Sequence, residues 1–197
     1  MSHRVKNTFA LMDGLIRLSS RAANSKEELA SDLTGRLHAL SAAHSLVRRG
    51  HGSHEIDLGT ANLCDLLRLI IKPHEAMALG GKPRFSMSGP PVLCSDHATN
   101  GMALVMHELA TNAAKYGSLA ADGGGVDLRW DIESSNLSLI WREYGGPDIA
   151  GVPAKKGFGS KMTNLVIEGQ FGGTLRHDWQ RSGLEVTITM PLKNLTR

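Results

Sequence analysis

The segment that decides the fold is His107-Glu108-Leu109-Ala110-Thr111-Asn112-Ala113-Ala114-Lys115-Tyr116. A carboxylate and an amide oxygen are hard ligands suited to Mg²⁺, and a lysine ammonium can meet a phosphate. The polar residues of the segment are spaced i, i+4, i+7 and i+8, which predicts that one helix face carries all four: Glu108, Asn112, Lys115 and Tyr116. This spacing alone also fits a solvated charged face.

Ordinary helix and strand signals surround this segment. Ser95 or Asp96 is predicted to begin its helix, and Gly117 follows the helix end near Tyr116. The pattern as a whole predicts an α+β fold, with helices on one face of a mostly antiparallel sheet. The other predicted elements are a helix over 60–72, strands over 84–87, 92–94, 126–133 and 137–143, a helix over 159–169, and a final hairpin over 174–179 and 184–190.

The first 49 residues contain no proline and are predicted to form two helices. The first helix has two apolar stripes and therefore needs two partners, so the hairpin and its symmetry mate are predicted to form a four-helix bundle. Residues 50–54 are predicted to form a flexible joint. This gives a helical domain over 1–50 and a second domain over 55–197. The stripe of the second helix consists of Leu29, Leu33, Leu37, Leu40, His44 and Val47.

Composition excludes several classes of protein. The 197 residues carry 22 Lys+Arg against 19 Asp+Glu, and a net charge of +3 without a basic stripe is too weak to indicate nucleic-acid binding. A hydrophobic fraction of 41% excludes a wholly disordered chain. The sequence contains no run of about 18 apolar residues, so it predicts no membrane span. Cys64 and Cys94 are predicted to be buried free thiols in a reducing compartment.

A second motif is Leu139-Ile140-Trp141-Arg142-Glu143-Tyr144-Gly145-Gly146-Pro147, a predicted strand that ends in a carboxylate and enters a glycine loop. Glu143 could accept a hydrogen bond from an exocyclic amine such as that of adenine. Gly145 and Gly146 would let the backbone approach a flat ring closely. The alternative is a plain turn with a surface glutamate.

A third motif, Gly157-Phe158-Gly159-Ser160-Lys161, ends a loop and begins a helix. The free N–H groups and the dipole of a helix start favour an anion there. Lys155, Lys156 and Lys161 add positive charge. A single G-x-G is a weak signal, so an ordinary helix start stays open.

A fourth motif lies at the start of the chain, in Ser2-His3-Arg4-Val5-Lys6-Asn7. His3 falls outside both apolar stripes of its predicted helix, and Asn7 lies one turn on beside it. A neutral, accessible imidazole can act as a nucleophile near neutral pH. An ordinary solvated histidine fits the same position.

In their order along the chain, these motifs resemble those of the catalytic half of a bacterial sensor histidine kinase of the HWE type. The His and the Trp-x-Glu of the family name correspond to His107 and to Trp141 with Glu143. The resemblance covers nearly all of residues 2–192. The matching boxes are the phosphoacceptor box at 3–7, the N box at 107–117 and the second glycine box at 157–160.

The resemblance implies a dimerising helical hairpin followed by an ATP-binding α/β sandwich of the Bergerat type. It implies ATP-dependent autophosphorylation of His3 and transfer of the phosphoryl group to an aspartate of a response-regulator receiver domain. The implied cofactors are ATP and Mg²⁺, and the implied partners are that receiver domain and a second copy of the chain. The implied location is the bacterial cytoplasm, and the chain would be a kinase core without its sensor domain.

The resemblance also implies roles for single residues. Asn112 would hold Mg²⁺, and Glu108 is a second candidate for the metal or its water. Arg4 follows His3 where ordinary histidine kinases have an acidic residue, so the group that orients His3 is left unassigned. Asn7 is a hypothetical positioner of water for dephosphorylation. The other implied contacts are Glu143 and Gly145 at adenine, Lys115 and Tyr116 near the phosphates or ribose, Gly157, Phe158, Gly159 and Ser160 around the triphosphate, and a lid over 147–156.

Other functions stay open at this point. A histidine phosphotransfer protein would keep the histidine hairpin beside a degenerate ATP-like domain. A non-enzymatic dimer module would only bind a receiver domain. His51 and His54 could bind a metal, although a structural zinc site usually has four ligands.

Overall fold

The structure, a computed structural model, describes residues 25–49, 59–75, 83–153 and 157–196, together with Gly14, Ile16, Ser19 and Ser20. Those four residues are helical, as a first hairpin helix requires. Apart from Ile16, the two apolar stripes predicted for that helix lie outside the described residues, as does the joint predicted over 50–54.

The described elements alternate between helices and strands. In chain order they are α1 (Lys26–Arg49), β1 (Thr60–Asn62), α2 (Leu63–Ile71), β2 (Phe85–Ser88), β3 (Leu93–Ser95), α3 (Asp96–Lys115), β4 (Gly125–Glu133), β5 (Asn136–Tyr144), α4 (Phe158–Asn164), β6 (Thr174–Gln180), β7 (Gly183–Pro191) and α5 (Lys193–Thr196), with 3₁₀ turns at Lys72–His74 and Ser118–Ala120 and a π-helical stretch at Leu165–Gln170.

The predicted helix over 60–72 begins later than expected. Its first three residues form β1, which pairs antiparallel with β3. Asn62 ends that strand and caps α2, because its side chain accepts the N–H of Cys64 at 2.8 Å. Pro73 ends α2 as predicted, inside a 3₁₀ turn.

The central helix α3 agrees with the prediction at both ends. Ser95 caps it, since its Oγ accepts the N–H of Ala98 at 3.3 Å. Tyr116 ends it. Buried residues occur on most sides of α3, which is typical of a core helix. Most of the apolar ones belong to one hydrophobic core with the inward face of the sheet, and Leu104 packs in a separate small cluster with Leu40 and Met162.

The main sheet has five strands in the order β2-β4-β5-β7-β6. β2 pairs parallel to β4, and the other pairs are antiparallel. Ser134 and Ser135 both have positive φ, as a two-residue hairpin turn between β4 and β5 requires. Leu139 and Trp141 point into the core and are fully buried, whereas Arg142 on the other face is exposed. The predicted α+β fold with a mostly antiparallel sheet is therefore confirmed.

The buried face of α1 differs from the predicted stripe. Leu37 and His44 belong to that stripe but are exposed. Within the single chain the buried face is offset from the stripe by part of a turn, because two alanines and an arginine pack inward beside Leu40 and Val47, which belong to the stripe. The buried residues of α1 are Arg36, Ala39, Leu40, Ala43 and Val47. Two of them, Ala39 and Ala43, share the main core with α3, and the division into domains at 50–55 stays a prediction.

His107 on α3 packs against the backbone of α1. A β-carbon at Gly35 would lie only 2.9 Å from His107 Nε2, so the glycine permits this close approach. The ring of His74 lies on its other side, with ring centroids 6.3 Å apart. Burial is the main cause that lowers the pKa of His107 to about 4, and His74, Arg36 and Lys115 lower it further against the opposing effect of Asp32.

We expect acid to destabilise the wild-type protein more than a His107→Gln variant. Unfolding returns the pKa of His107 to 6.5, so between pH 6.5 and pH 4 the unfolded chain binds more protons than the folded chain. The free energy of unfolding therefore falls as the pH drops through this window, by up to about 3 kcal/mol from this group. Urea denaturation of both proteins at about pH 7 and about pH 4.5 measures the difference.

A His44→Gln variant is the control, because His44 is an exposed histidine on α1, the helix against which His107 packs. It is expected to keep the pH dependence of the wild-type protein. The same pH dependence in the wild-type and His107→Gln proteins would contradict a partly buried His107 that is uncharged in the folded protein.

Candidate functional site

A cavity of about 230 Å³ opens between α1, α3 and the start of α4. Three segments that are far apart in the sequence meet there. The lining residues are Ser19; Glu28, Leu29, Asp32 and Arg36 from α1; His107, Glu108, Thr111, Asn112, Lys115 and Tyr116 from α3 and its end; and Gly157 and Gly159 from the start of α4.

The polar face predicted for α3 is confirmed, because all four of its residues line this cavity. Their exposure differs strongly along the helix. Glu108 is 5% exposed at the inner end, and Tyr116 is 74% exposed at the outer end. A solvated charged face would not bury a carboxylate, so that alternative is wrong for Glu108.

The carboxylate of Glu108 is paired inside the protein. Arg36 Nε donates to Glu108 Oε1 at 2.7 Å, and the two side chains are only 4% and 6% exposed. Arg36 Nη1 also donates to the Oγ of Ser19 at 3.0 Å. Sequence reasoning missed Arg36, and the available signal was a charged residue among the apolar positions of α1.

A second, more exposed ion pair lies at the outer end of the cavity. Lys115 Nζ contacts Asp32 Oδ1 at 2.9 Å, and Asp32 Oδ2 lies 3.7 Å from Arg36 Nη2. The hydrogen bond to Asp32 is the main cause that raises the pKa of Lys115. Asp32, like Arg36, is a site residue that the sequence did not reveal.

The start of α4 approaches α3 closely at a glycine. A β-carbon at Gly159 would overlap Glu108 Oε2 and would lie 3.5 Å from Asn112 Nδ2. Glycine at this position therefore keeps the cavity open between α3 and α4. Gly157 also lines the cavity but has no atom near its own β-carbon position. Ser160 accepts a hydrogen bond from the Oγ1 of Thr163 through its carbonyl.

Glu143 does not line this cavity and lies next to Gly117, just after the end of α3. It is 6% exposed, so the alternative of a surface glutamate is wrong. Its Oε2 accepts the N–H of Ser118 at 2.8 Å, and its Oε1 accepts the indole N–H of Trp141 at 3.2 Å. Burial raises the pKa of Glu143, and these two hydrogen bonds partly oppose the shift. Gly145, two residues on, has φ +66.

An arginine that sequence reasoning missed holds the loop beside Glu143. Arg84 precedes β2 and donates to the carbonyls of Gly124 at 2.9 Å, Ala121 at 2.5 Å and Ser118 at 3.4 Å. These bonds tie the segment from 118 to 124 to the edge of the sheet. They help to position the backbone N–H of Ser118, from which Glu143 accepts a hydrogen bond.

The side-chain oxygens in the cavity suit a magnesium ion only when waters and a bound phosphate-bearing molecule supply the remaining oxygens. Within the described ranges, no cluster of three or more His, Cys, Asp or Glu side chains could hold a metal ion. Asn112 and Glu108 supply an amide and a carboxylate, and one oxygen of Glu108 is engaged by Arg36. Mg²⁺ commonly binds one or two protein oxygens together with waters and substrate phosphates, so the donor set fits that mode.

The cysteines agree with the prediction in part. Both are free, and burial raises the pKa of Cys94 to about 12, which makes it an inert core thiol. Cys64 is only half-buried.

Among the described helices, none is both long and apolar enough to cross a lipid bilayer.

Several predicted site residues lie outside the described residues. They are His3 and Asn7 with the whole phosphoacceptor box, the joint histidines His51 and His54, Lys155 and Lys156 of the predicted lid, and the side chain of Phe158.

Comparison with known proteins gives consistent matches. The HWE histidine kinase family model matches residues 1–91. Blue-light-activated histidine kinase 1 of Erythrobacter litoralis is 31% identical over 194 residues, 98% of this chain and 52% of that protein. The blue-light-activated histidine kinase of Rhizobium johnstonii is 32% identical over 193 residues, 97% of this chain and 52% of that protein. The chain thus spans about half the length of these curated relatives.

Solved structures share the fold. The histidine kinase domain of the Erythrobacter litoralis EL346 blue-light activated histidine kinase matches with a TM-score of 0.63 and 17% identity, covering 94% of this chain and 96% of that one. The longer EL346 structure matches with a TM-score of 0.69 and 20% identity, covering 96% of this chain and 57% of that one. With the HWE boxes of the sequence and the cavity that joins two of them, these matches support an HWE histidine kinase catalytic region in this chain.

Proposed function

We propose that this chain is the catalytic region of an ATP-dependent histidine autokinase that phosphorylates His3 and passes the phosphoryl group to a response-regulator aspartate. One observation carries the proposal. The polar face of α3 and the glycine segment at the start of α4 line the same cavity, although Asn112 and Gly159 are far apart in the sequence. A phosphate chain needs positive charge, a metal-holding oxygen and a close backbone, and this cavity supplies all three.

Each residue of the cavity has a distinct part in binding the triphosphate. Lys115 supplies the positive charge at the outer end, and Gly159 leaves room for phosphate oxygens beside the start of α4. Asn112, with Glu108, would hold Mg²⁺, which when bound neutralises phosphate charge. Phosphoryl transfer asks mainly for positioning and charge neutralisation, so these contacts provide most of what catalysis needs.

The adenine end of the nucleotide is proposed to lie at Glu143. A carboxylate offers about four lone-pair sites, and two are used by Ser118 and Trp141. The remaining capacity suits an exocyclic amine. The cavity ends at Tyr116, two residues before Ser118, so a nucleotide that extends past the end of α3 would reach from Lys115 to Glu143.

The phosphoryl group is proposed to leave the nucleotide for His3. One imidazole nitrogen of His3 forms a bond to the γ-phosphorus while the bond from phosphorus to the β-phosphate oxygen breaks, and ADP leaves. An aspartate of a receiver domain then takes the phosphoryl group.

We also propose a homodimer through the hairpin. This is supported by Leu37 and Ile16, which are 44% and 54% exposed. We further propose activity in the bacterial cytoplasm, where ATP is available.

The first test is incubation with γ-labelled ATP and Mg²⁺. The wild-type protein is expected to gain a label that is acid-labile and base-stable, as a phosphohistidine is. His3→Ala is expected to take up no label because the acceptor nitrogen is gone. Asn112→Ala is expected to take up none because the metal loses a protein ligand. Labelling of His3→Ala at the wild-type rate would show that the acceptor is another residue.

The second test concerns Glu143 and the base. A Glu143→Gln variant loses the negative charge that strengthens a hydrogen bond from an amine, so ATP affinity is expected to fall about tenfold to hundredfold. GTP affinity is expected to change less, because guanine has a carbonyl where adenine has the amine. Calorimetric titration with each nucleotide measures both values.

Glu185→Gln is the matched control for the second test, because Glu185 is paired with Arg142 on the outer face of the sheet. It is expected to bind both nucleotides as the wild-type protein does. An unchanged ratio of ATP to GTP affinity in Glu143→Gln would remove the adenine-recognising role.

A further inference from the structure

Two ion pairs join α1 to the polar face of α3 in matching register. Asp32 and Arg36 are four residues apart on α1, and they meet Lys115 and Glu108 on α3. The earlier residue of α1 meets the later residue of α3, so the two helices run antiparallel along the cavity. Both charged residues that the proposed function gives to the triphosphate site are therefore already in contact with the hairpin helix.

The inner pair is a fixed part of this contact. Arg36 and Glu108 are 4% and 6% exposed and lie 2.7 Å apart. Separating two charges that are this deeply buried leaves each of them without compensation in a poorly solvated place. The inner pair therefore anchors α1 beside the cavity.

The outer pair is exchangeable. Asp32 and Lys115 are 27% and 41% exposed, so water and ions reach both charges. A partly exposed pair of this kind contributes little to stability. An incoming anion can therefore replace the carboxylate on Lys115 at low cost.

The chemistry of the outer pair indicates competition with phosphate. Asp32 Oδ1 lies 2.9 Å from Lys115 Nζ, the distance at which a phosphate oxygen would bind that ammonium. The ammonium has three donors, but a carboxylate and a phosphate that share it are like charges in close proximity and repel each other. Nucleotide binding must then displace Asp32 or accept this repulsion.

We propose that Asp32 is an affinity-determining residue of the nucleotide site, a carboxylate on the hairpin helix that competes with the nucleotide phosphates for Lys115. The inference rests on the proposed function of the cavity and adds to it a contribution from α1. Any movement of α1 that withdraws Asp32 raises nucleotide affinity. By linkage, a bound nucleotide weakens the contact of Asp32 with α3 by the same factor.

The test is calorimetric titration of ATP, ADP or AMP, each in the presence of Mg²⁺, into the wild-type protein and into an Asp32→Asn variant. Asparagine keeps an oxygen that can accept from Lys115, removes the charge, and places an amide NH2 where one carboxylate oxygen stood; Asp32 Oδ2 lies 3.7 Å from Arg36 Nη2 in the wild-type protein. ATP is expected to bind the variant about twofold to fivefold more tightly. The gain is expected to be smaller for ADP and absent for AMP, because the competition is for the outer phosphates, and to shrink as salt is added.

Two further variants separate charge from structure. Asp32→Glu keeps the charge and is expected to bind ATP with close to wild-type affinity. Glu27→Gln removes one charge from an exposed position in the first turn of α1 and is expected to change nothing.

The outcomes distinguish the two proposals. Equal ATP affinity in wild type and Asp32→Asn, or the same gain for ATP and AMP, would overturn the role of Asp32 and leave the nucleotide site standing. Absence of nucleotide binding in both proteins would overturn the proposed function, and the role of Asp32 with it.

Discussion

The buried ion pair between Arg36 and Glu108 is the constraint on which the site depends. Removing two charges from water is costly, and the pair is maintained only if both partners stay in place, since breaking it costs about 3 to 5 kcal/mol. It joins the hairpin helix α1 to the core helix α3 at 2.7 Å. Through this contact α1 forms part of the cavity wall, and its charges are joined to those of the proposed nucleotide site.

Local signals in the sequence account for the parts of the fold that were predicted well. The cap at Ser95 and the length of the apolar pattern define α3, because both act within one helix. The alternation around Ser134 and Ser135 defines the β4–β5 hairpin for the same reason. The polar face from Glu108 to Tyr116 follows from helix geometry alone, so its convergence on one cavity could be predicted.

Features that depend on docking between elements could not be predicted from local signals. Which side of α1 is buried depends on its partner, and the small side chains of Ala39 and Ala43 lie inward while Leu37 stays exposed. The contacts of Asp32 with Lys115, of Gly35 with His107 and of Glu143 with Ser118 join residues distant in sequence. No periodicity encodes such pairs. The pair of Arg36 and Glu108 is signalled only in part, by a charged residue among the apolar positions of α1.

The most direct measurement of the central claim is a crystal structure of the chain with Mg²⁺ and a non-hydrolysable ATP analogue. The account predicts a triphosphate between Lys115, Asn112 and Gly159, with Asp32 withdrawn from Lys115 and the inner pair of Arg36 and Glu108 intact. An analogue bound away from this cavity would contradict the assignment of the site. Phosphates seated on Lys115 beside an unmoved Asp32 would contradict the competition between them.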